Sequence, residues 1–436
     1  MTERAGLGWV GIVRLGLVQS AIGAIVMLAT SLLNRIMVVE YALPAMLPAG
    51  LVAWHYAVQL SRPRWGHSSD TGARRTPWIA GGMAMLALGA VLAADATVMI
   101  AARPLLGPLL AIVAFSLIGA GVGAAGTSLL ALLASEVAPE RRPAAAAITW
   151  IMMIAGIVVT AGIAGKLIDP FSPERLIEVV AGVALAALLV SFVAVWGVER
   201  ARIAPLHSEK PAPFLTVLAE IWADDRARRF TVFVFVSMLA YSAQDLILEP
   251  FAGLRFGLTP GQSTSLSGIQ HGGVLAGMVL VGTLGNAFAR GKTWLRGWIV
   301  AGCLGSAAAL AGLALAARFG PGWPLTANVA ALGFCNGMFA VAAIGSMMGL
   351  AGADGPGREG VRMGVWGAAQ AIGFALGGFA GAAGVDTLRA LTGDMPQSFA
   401  LVFAAEAAQF VFATVMALRI GAAPRDPTEN FAGARA

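Results

Sequence analysis

Charge is spaced along the 436 residues so that stretch after stretch of about 20 carries none, which is the length a helix needs to cross the hydrocarbon layer of a bilayer. Uncharged windows run 15–34, 41–61, 76–94, 104–135, 143–165, 179–197, 256–289, 297–317, 319–353 and 363–385. Two further windows are interrupted by acids, 230–250 by Asp245 and Glu249 and 398–418 by Glu406. The pattern predicts an all-α integral membrane protein of twelve spans. Composition agrees: 58% of residues are hydrophobic and 12% charged, where a soluble domain has about a quarter charged.

Cytoplasmic loops retain Lys and Arg. With the N-terminus inside, 21 of the 29 basic residues fall in cytoplasmic segments, 7 in external ones and Arg14 in the first turns of helix 1. The bias predicts that both termini are cytoplasmic. No signal peptide is expected, because only nine residues precede a hydrophobic stretch with no small-residue cleavage site behind it, so helix 1 reads as a retained span. The net charge of +6 comes from this loop bias, which points to anionic lipid headgroups rather than nucleic acid.

The longest polar interruption, Glu199 to Arg229, separates six windows from six. The expected units are a six-helix bundle over 1–198, a cytoplasmic linker over 199–229, a second six-helix bundle over 230–419 and a cytoplasmic tail over 420–436. Within the linker Phe214, Leu218, Ile221 and Trp222 lie opposite Glu220, Asp224 and Asp225, which reads as an amphipathic surface helix or an ordinary linker helix. The halves repeat each other. At an offset of 216, Gly121, Arg142 and Trp150 meet Gly337, Arg358 and Trp366; at 220, Trp78, Ile79 and Gly82 meet Trp298, Ile299 and Gly302. Two parallel six-helix bundles related by an axis along the membrane normal describe the major facilitator architecture.

The loop between helices 2 and 3 carries Gly66, Asp70, Arg74 and Arg75. It resembles the major facilitator signature Gly-x3-Asp-(Arg/Lys)-x-Gly-(Arg/Lys)-(Arg/Lys), from which Thr71 and Ala73 depart. Asp70 would face the N-terminal end of helix 11 near Met363, where free amides and the helix dipole favour an anion, and Arg74 and Arg75 would meet Glu136 or Glu140. That latch competes with a plain positive-inside loop.

Polar residues also gather at the expected external ends of helices 1 and 7: Asn34, Arg35 and Glu40 on one, Gln244, Asp245 and Glu249 on the other. Such groups pair, snorkel or line a wet cavity. The gate reading pairs Arg35 with Asp245 or Glu249; snorkelling is the alternative. His55 in helix 2 and His271 in helix 8 share the 216 offset, and Gln270 precedes the second. Neutral imidazole is a metal ligand, but a membrane histidine also serves as a helix-to-helix hydrogen-bonding group. Glu406 sits mid-span in helix 12 with Gln409 one turn on, and reads as a partner-protein contact or as an internal hydrogen bond to helix 10 or 11.

The segments Leu33 to Glu40 and Gln244 to Phe251 resemble the bacteriochlorophyll delivery family, the photosynthetic branch of the major facilitators that includes PucC and LhaA, with similarity over roughly residues 9 to 420. The resemblance implies binding or delivery of bacteriochlorophyll, or a late precursor, during assembly of light-harvesting and reaction-centre complexes. It implies bacteriochlorophyll as cargo, with His55, His271 and Gln270 as candidate ligands and the helix 1 and helix 7 ends as an external gate or headgroup clamp. The implied partners are bacteriochlorophyll synthase and antenna or reaction-centre polypeptides, and the implied location is the cytoplasmic or intracytoplasmic photosynthetic membrane.

Gly121, Gly123 and Gly126 match GxGxxG formally but lie inside an apolar helix, so no dinucleotide site is expected. Gly373, Gly377 and Gly381 at four-residue spacing predict close helix approach instead. Cys303 and Cys335 have no metal-ligand spacing, and no Walker loop, HExxH or Ser/His/Asp constellation is found, so no catalysis is expected. Two competing readings remain: a proton-coupled transporter of a small solute, which needs a carboxylate deep in helix 1, 4, 7 or 10, whereas the acids of those helices are expected at their ends, and an assembly scaffold without cargo.

Overall fold

A computed structural model describes residues 7–62, 65, 74–137, 141–199, 223, 225–287, 291–351 and 359–420. These form α1 (Trp9–Met27, continued through a π-helical turn Leu28–Leu32 and Leu33–Val39), α2 (Met46–Gln59), α3 (Thr76–Ala102), α4 (Leu106–Glu136), α5 (Arg142–Leu167) and α6 (Pro173–Val195). The second set is α7 (Asp225–Phe256), α8 (Pro260–Ala287), α9 (Gly291–Phe319), α10 (Leu325–Ala351), α11 (Glu359–Thr392) and α12 (Met395–Ile420). Among the described residues eleven of these are long and apolar enough to cross a membrane; α2, at 14 residues, is shorter than its uncharged window. Gly66, Asp70, His67, His207, Glu140, the linker segment Phe214 to Trp222 and the tail beyond residue 420 lie outside the described residues.

Local sequence sets the helix ends. Pro stands in the first turn of α3, α5 and α6, where its missing N–H has no intrahelical partner to lose. The α6 start is also capped, since the Ser172 hydroxyl accepts from the Arg175 amide at 3.1 Å. At the other pole α7, α9 and α11 are each followed by a glycine with positive φ, Gly257 (68°), Gly320 (74°) and Gly393 (67°), the left-handed conformation that closes a helix C-terminus at least cost.

The twofold repeat is visible in the packing. In the first half α1 packs on α5 and α6, α3 on α4 and α6, and α2 on α4; in the second α7 packs on α11 and α12, α9 on α10 and α12, and α8 on α10. Every pair recurs six helices later. The 220 offset has a matching contact: a Cβ on Gly82 would strike the backbone of α4 at Ala125, and one on Gly302 the backbone of α10 at Phe339. The halves meet along α2 with α11, α5 with α8 and α1 with α7. Gly373 and Gly381 let α11 lie on the α7 backbone, where an added Cβ would come within 3.1 Å of the Phe235 carbonyl and 2.7 Å of the Ala243 carbonyl. Phe251 of α7 packs on Phe399 and Phe403 of α12 with ring centroids 5.2 and 5.1 Å apart, while Phe339 of α10 joins Phe233 and Phe410 nearer the opposite end.

Two helices run further than the charge spacing suggested. The first window ends at Asn34, but α1 continues to Val39 and encloses Asn34 and Arg35, each 1% exposed. Pro250 does not end α7, which runs on to Phe256. Both extensions hold because each helix supplies what the other lacks.

Candidate functional site

Proline has no N–H to give the carbonyl four residues back, so Pro250 leaves the Leu246 oxygen without its helical partner. The Asn34 amide donates to that oxygen at 2.6 Å. At the next residue, the Arg35 guanidinium donates to Glu40 Oε1 at 2.5 Å and to the Leu258 carbonyl at 2.7 Å, placing a cation at the C-terminal end of α7, where the dipole favours it. A Cβ on Gly253 would come within 3.1 Å of Arg35 Nη2 and Val39, so the glycine makes room for this contact. The expected pairing across the helices is therefore corrected: Arg35 makes its ion pair with Glu40 of its own chain segment, while Asp245 accepts from Gln270 of α8. Glu249 is within reach of the Arg35 charge and beside the hydroxyls of Ser31, Thr264 and Ser267.

Two neighbouring contacts join the halves at the same end, and both escaped sequence reasoning. Asp169, after α5, accepts from the Thr259 hydroxyl and from the Gly261 amide at 3.0 Å at the start of α8. Asp386 of α11 accepts from the Met46 amide of α2 at 2.7 Å. Single acids near helix ends are indistinguishable in sequence from interfacial charges; only the pairing of loops across the axis gives them this role. On the basic-residue count this end is external, and α1 with α7, α5 with α8 and α2 with α11 all close it.

Deeper in the bundle lies a polar and aromatic group shared by both halves. Gln270 of α8 donates to Asp245 of α7 at 3.3 Å. Tyr56 of α2 stacks on Phe374 of α11 with centroids 5.8 Å apart, and Tyr241 of α7 meets the same ring edge-on at 5.8 Å. Asp245 lies close to both phenols. Tyr56, Tyr241, Phe374 and Asp245 each retain partial exposure although they sit between helices of opposite halves, so they line an internal space. Asp245 is near the middle of the apolar stretch Thr231–Phe256, which corrects the expectation that the acids of helix 7 lie only at its end. α7 runs on beyond Asp245 and Glu249 to Phe256.

The two histidines differ in what their ring nitrogens do. Arg62 donates to Gln59 Oε1, which orients the Gln59 amide so that its nitrogen donates to His55 Nε2 at 2.8 Å; the His55 lone pair is thereby used. His271 Nδ1 lies 2.9 Å from the Ser267 carbonyl, and a carbonyl only accepts, so Nδ1 carries the proton and the Nε2 lone pair has no hydrogen-bond partner among the described residues. A ring N–H on a backbone carbonyl is the arrangement that orients metal-ligating histidines. His271 shares a helix face with Ser267, which meets Ser31 of α1 at 3.4 Å, and with Val274 and Met278, which pack on Ile154 of α5. That face of α8 is turned toward the first half.

The surface reading of helix 12 is corrected. Glu406 is 2% exposed, and neither of its oxygens has a hydrogen-bond partner among the described residues; it faces inward, on the same α12 face as Phe399, Phe403 and Phe410, where a partner protein has no access. Gln409 is half-buried, its carbonyl oxygen also without a partner. Gln244 is fully buried on α7, one heptad before Phe251, with both amide atoms in the same condition. At the cytoplasmic end Arg75 donates to the Ala131 carbonyl of α4. Glu199 accepts from the Arg75 and Thr76 amides, both at 2.7 Å, an anion on the N-terminus of α3. Arg74 is exposed.

The PUCC protein family model matches residues 32–424. The chain is 53% identical over 417 residues, 96% of each sequence, to the bacteriochlorophyll synthase 44.5 kDa chain of Rhodobacter capsulatus. It is 29% identical over 350 residues to protein PucC of Rhodobacter capsulatus, covering 76% of this chain and 75% of that one. Among solved structures it is similar to a peptide transporter, POT, in complex with alafosfalin, with TM-score 0.69 and 14% identity over 96% of this chain and 97% of that one. At that identity the likeness concerns the fold, which is the major facilitator fold.

Proposed function

The chain belongs to the PucC protein family, and from that premise we propose that it binds bacteriochlorophyll, or a late precursor, between its two halves and hands it on during assembly of photosynthetic complexes. The observation that carries the reading is the state of His271: its proton is committed to the Ser267 carbonyl, and the free Nε2 is the kind of ligand a chlorin magnesium accepts on its axis. Tyr56, Phe374 and Tyr241 supply flat apolar contacts, and Asp245 with Gln270 supplies a small number of polar groups, the mixture that small-molecule sites use. His55, with its lone pair on Gln59, serves the structure instead. The protein acts by binding and not by catalysis, beside bacteriochlorophyll synthase and the antenna and reaction-centre polypeptides, in the photosynthetic cytoplasmic or intracytoplasmic membrane.

The test is the near-infrared absorption of protein purified in mild detergent from pigment-producing cells. Wild type and His55→Leu are expected to carry stoichiometric pigment and His271→Leu to lose it. A pigment-free wild type that still holds its partners identifies a scaffold and overturns the proposal. A second reading is favoured by the depth of Asp245: a proton-coupled transporter of a small solute. Solute uptake into proteoliposomes driven by an imposed pH gradient, abolished in Asp245→Asn, would establish it.

A further inference from the structure

A groove of about 880 Å³ runs between α1, α5 and α6 on the outside of the first half, away from the axial site. Its volume falls in the small-molecule range of about 300–1,000 Å³. On α6 it extends from Arg175 to Val190, about 22 Å at the helical rise, roughly two-thirds of a bilayer core. The walls are apolar and open to the lipid side: Val159, Ile163 and Leu167 of α5 are all more than half exposed. Gly182 on α6 has nothing within reach of an added Cβ. The repeat does not require this gap. α5 and α6 barely touch, whereas their counterparts α11 and α12 pack together.

Charge is confined to one end. Lys166, Arg175 and Glu178 line the external mouth, and the exposed Lys166 and Glu178 form no ion pair among the described residues. Arg175 uses one nitrogen on the Pro170 carbonyl at 2.9 Å. Asp169, also at the mouth, is already committed to Thr259 and Gly261. Two cations beside one free carboxylate, at the interfacial end of an apolar channel, complement an amphiphile whose head carries phosphate and ammonium. We infer that this groove is a binding site for phosphatidylethanolamine, with the phosphate on Lys166 and Arg175, the amine on Glu178 and an acyl chain laid along α5 and α6. The lipid would lie against Asp169, one of the contacts that hold the halves together.

The experiment is native mass spectrometry of the delipidated full chain titrated with phosphatidylethanolamine or phosphatidylglycerol. Wild type is expected to retain one phosphatidylethanolamine after bulk detergent is stripped. Lys166→Gln should weaken retention about fivefold, the effect of one interfacial cation. Gly182→Leu, which adds its side chain into open space, should abolish retention while leaving lipid-free thermal stability unchanged. Retention by Gly182→Leu equal to wild type overturns the site, and so does phosphatidylglycerol held as well as phosphatidylethanolamine. A pigment or a single-span polypeptide released by Gly182→Leu in place of lipid overturns the occupant. The axial pigment proposal is independent of this groove, and the near-infrared spectrum of Gly182→Leu should match wild type whether or not lipid binds.

Discussion

Asn34 of α1 gives the Leu246 carbonyl of α7, at 2.6 Å, the hydrogen bond that Pro250 cannot. A proline inside a helix frees a carbonyl and inside a membrane that carbonyl has no water to turn to, so a neighbouring helix must supply the donor. Here one polar side chain both repairs α7 and fastens the first half to the second.

The two positions should therefore be coupled. Asn34→Leu leaves a buried carbonyl unsatisfied, a cost of about 1–3 kcal/mol. Pro250→Ala restores the helical N–H, and in that background we expect Asn34→Leu to cost much less. A double-mutant cycle on detergent unfolding measures the coupling; strict additivity would mean that the Asn34 bond contributes nothing to holding α7.

Arg35 should answer to Glu40 and not to Asp245. Glu40→Gln removes the partner of a guanidinium that is 1% exposed and, because Glu40 itself is partly exposed, should cost about 1–3 kcal/mol, below the 3–5 of a fully buried pair. The exchange of Arg35 and Glu40 should recover part of the loss of either reversal alone. Recovery by exchanging Arg35 with Asp245 would instead place the pair across the axis.

Asp169→Ala removes both acceptors for Thr259 and Gly261, bonds to a charged group worth about 1.5–3 kcal/mol each. The population should shift toward an externally open state. Labelling of a Ser31→Cys variant by an impermeant thiol reagent, in a background with Cys303 and Cys335 replaced, should speed up at least tenfold when Asp169 is also removed. An unchanged rate would leave the external closure to α1 with α7 and to α2 with α11.

Much of this was legible in the charge spacing and some was not, for identifiable reasons. The spans and the two halves follow from periodic features that depend on many residues at once, whereas His55 and His271 share the 216 offset but not their hydrogen bonds. The offset linking Gly82 with Gly302 reports real helix contacts, because a glycine needed for close approach has no substitute. Charge spacing alone does not show that α1 runs on past Asn34 or α7 past Pro250, since polar residues and proline mark termini only where the backbone they leave unsatisfied meets water. Asn34 and Leu246 cancel each other's signal across 212 positions. For Glu406 the sequence leaves a partner contact and an internal position both open for a related reason: a helix apolar on every side does not reveal which face is inward.

Tyr41, just beyond α1, offers a pH probe outside the bilayer. Burial, then the carboxylates of Glu174 and Glu40, push its phenol above the ordinary range. Ionisation is thus harder in the folded state. The stability this contributes is complete below about pH 10 and is lost as pH rises through the folded value. Wild type should lose stability over that alkaline range more steeply than Tyr41→Phe, read as unfolding temperature against pH. Parallel curves would mean that Tyr41 ionises as freely in the folded protein as in the unfolded chain.

Glu406 gives the sharpest contrast between a structural and a surface role. Its carboxyl is buried with both oxygens unbonded among the described residues, and a buried polar group left in that state costs about 1–3 kcal/mol. Glu406→Met keeps the volume and removes the polar atoms, so it should raise the unfolding temperature, whereas Glu406→Gln should leave it nearly unchanged. Neither variant should affect co-purification of the proposed partner proteins, because the side chain points into α12's packing with α7 and α9. A stabilised Glu406→Met that fails to retain its partner would return the residue to an interface. A destabilised one would show that the carboxyl makes polar interactions in the folded protein that Met cannot replace.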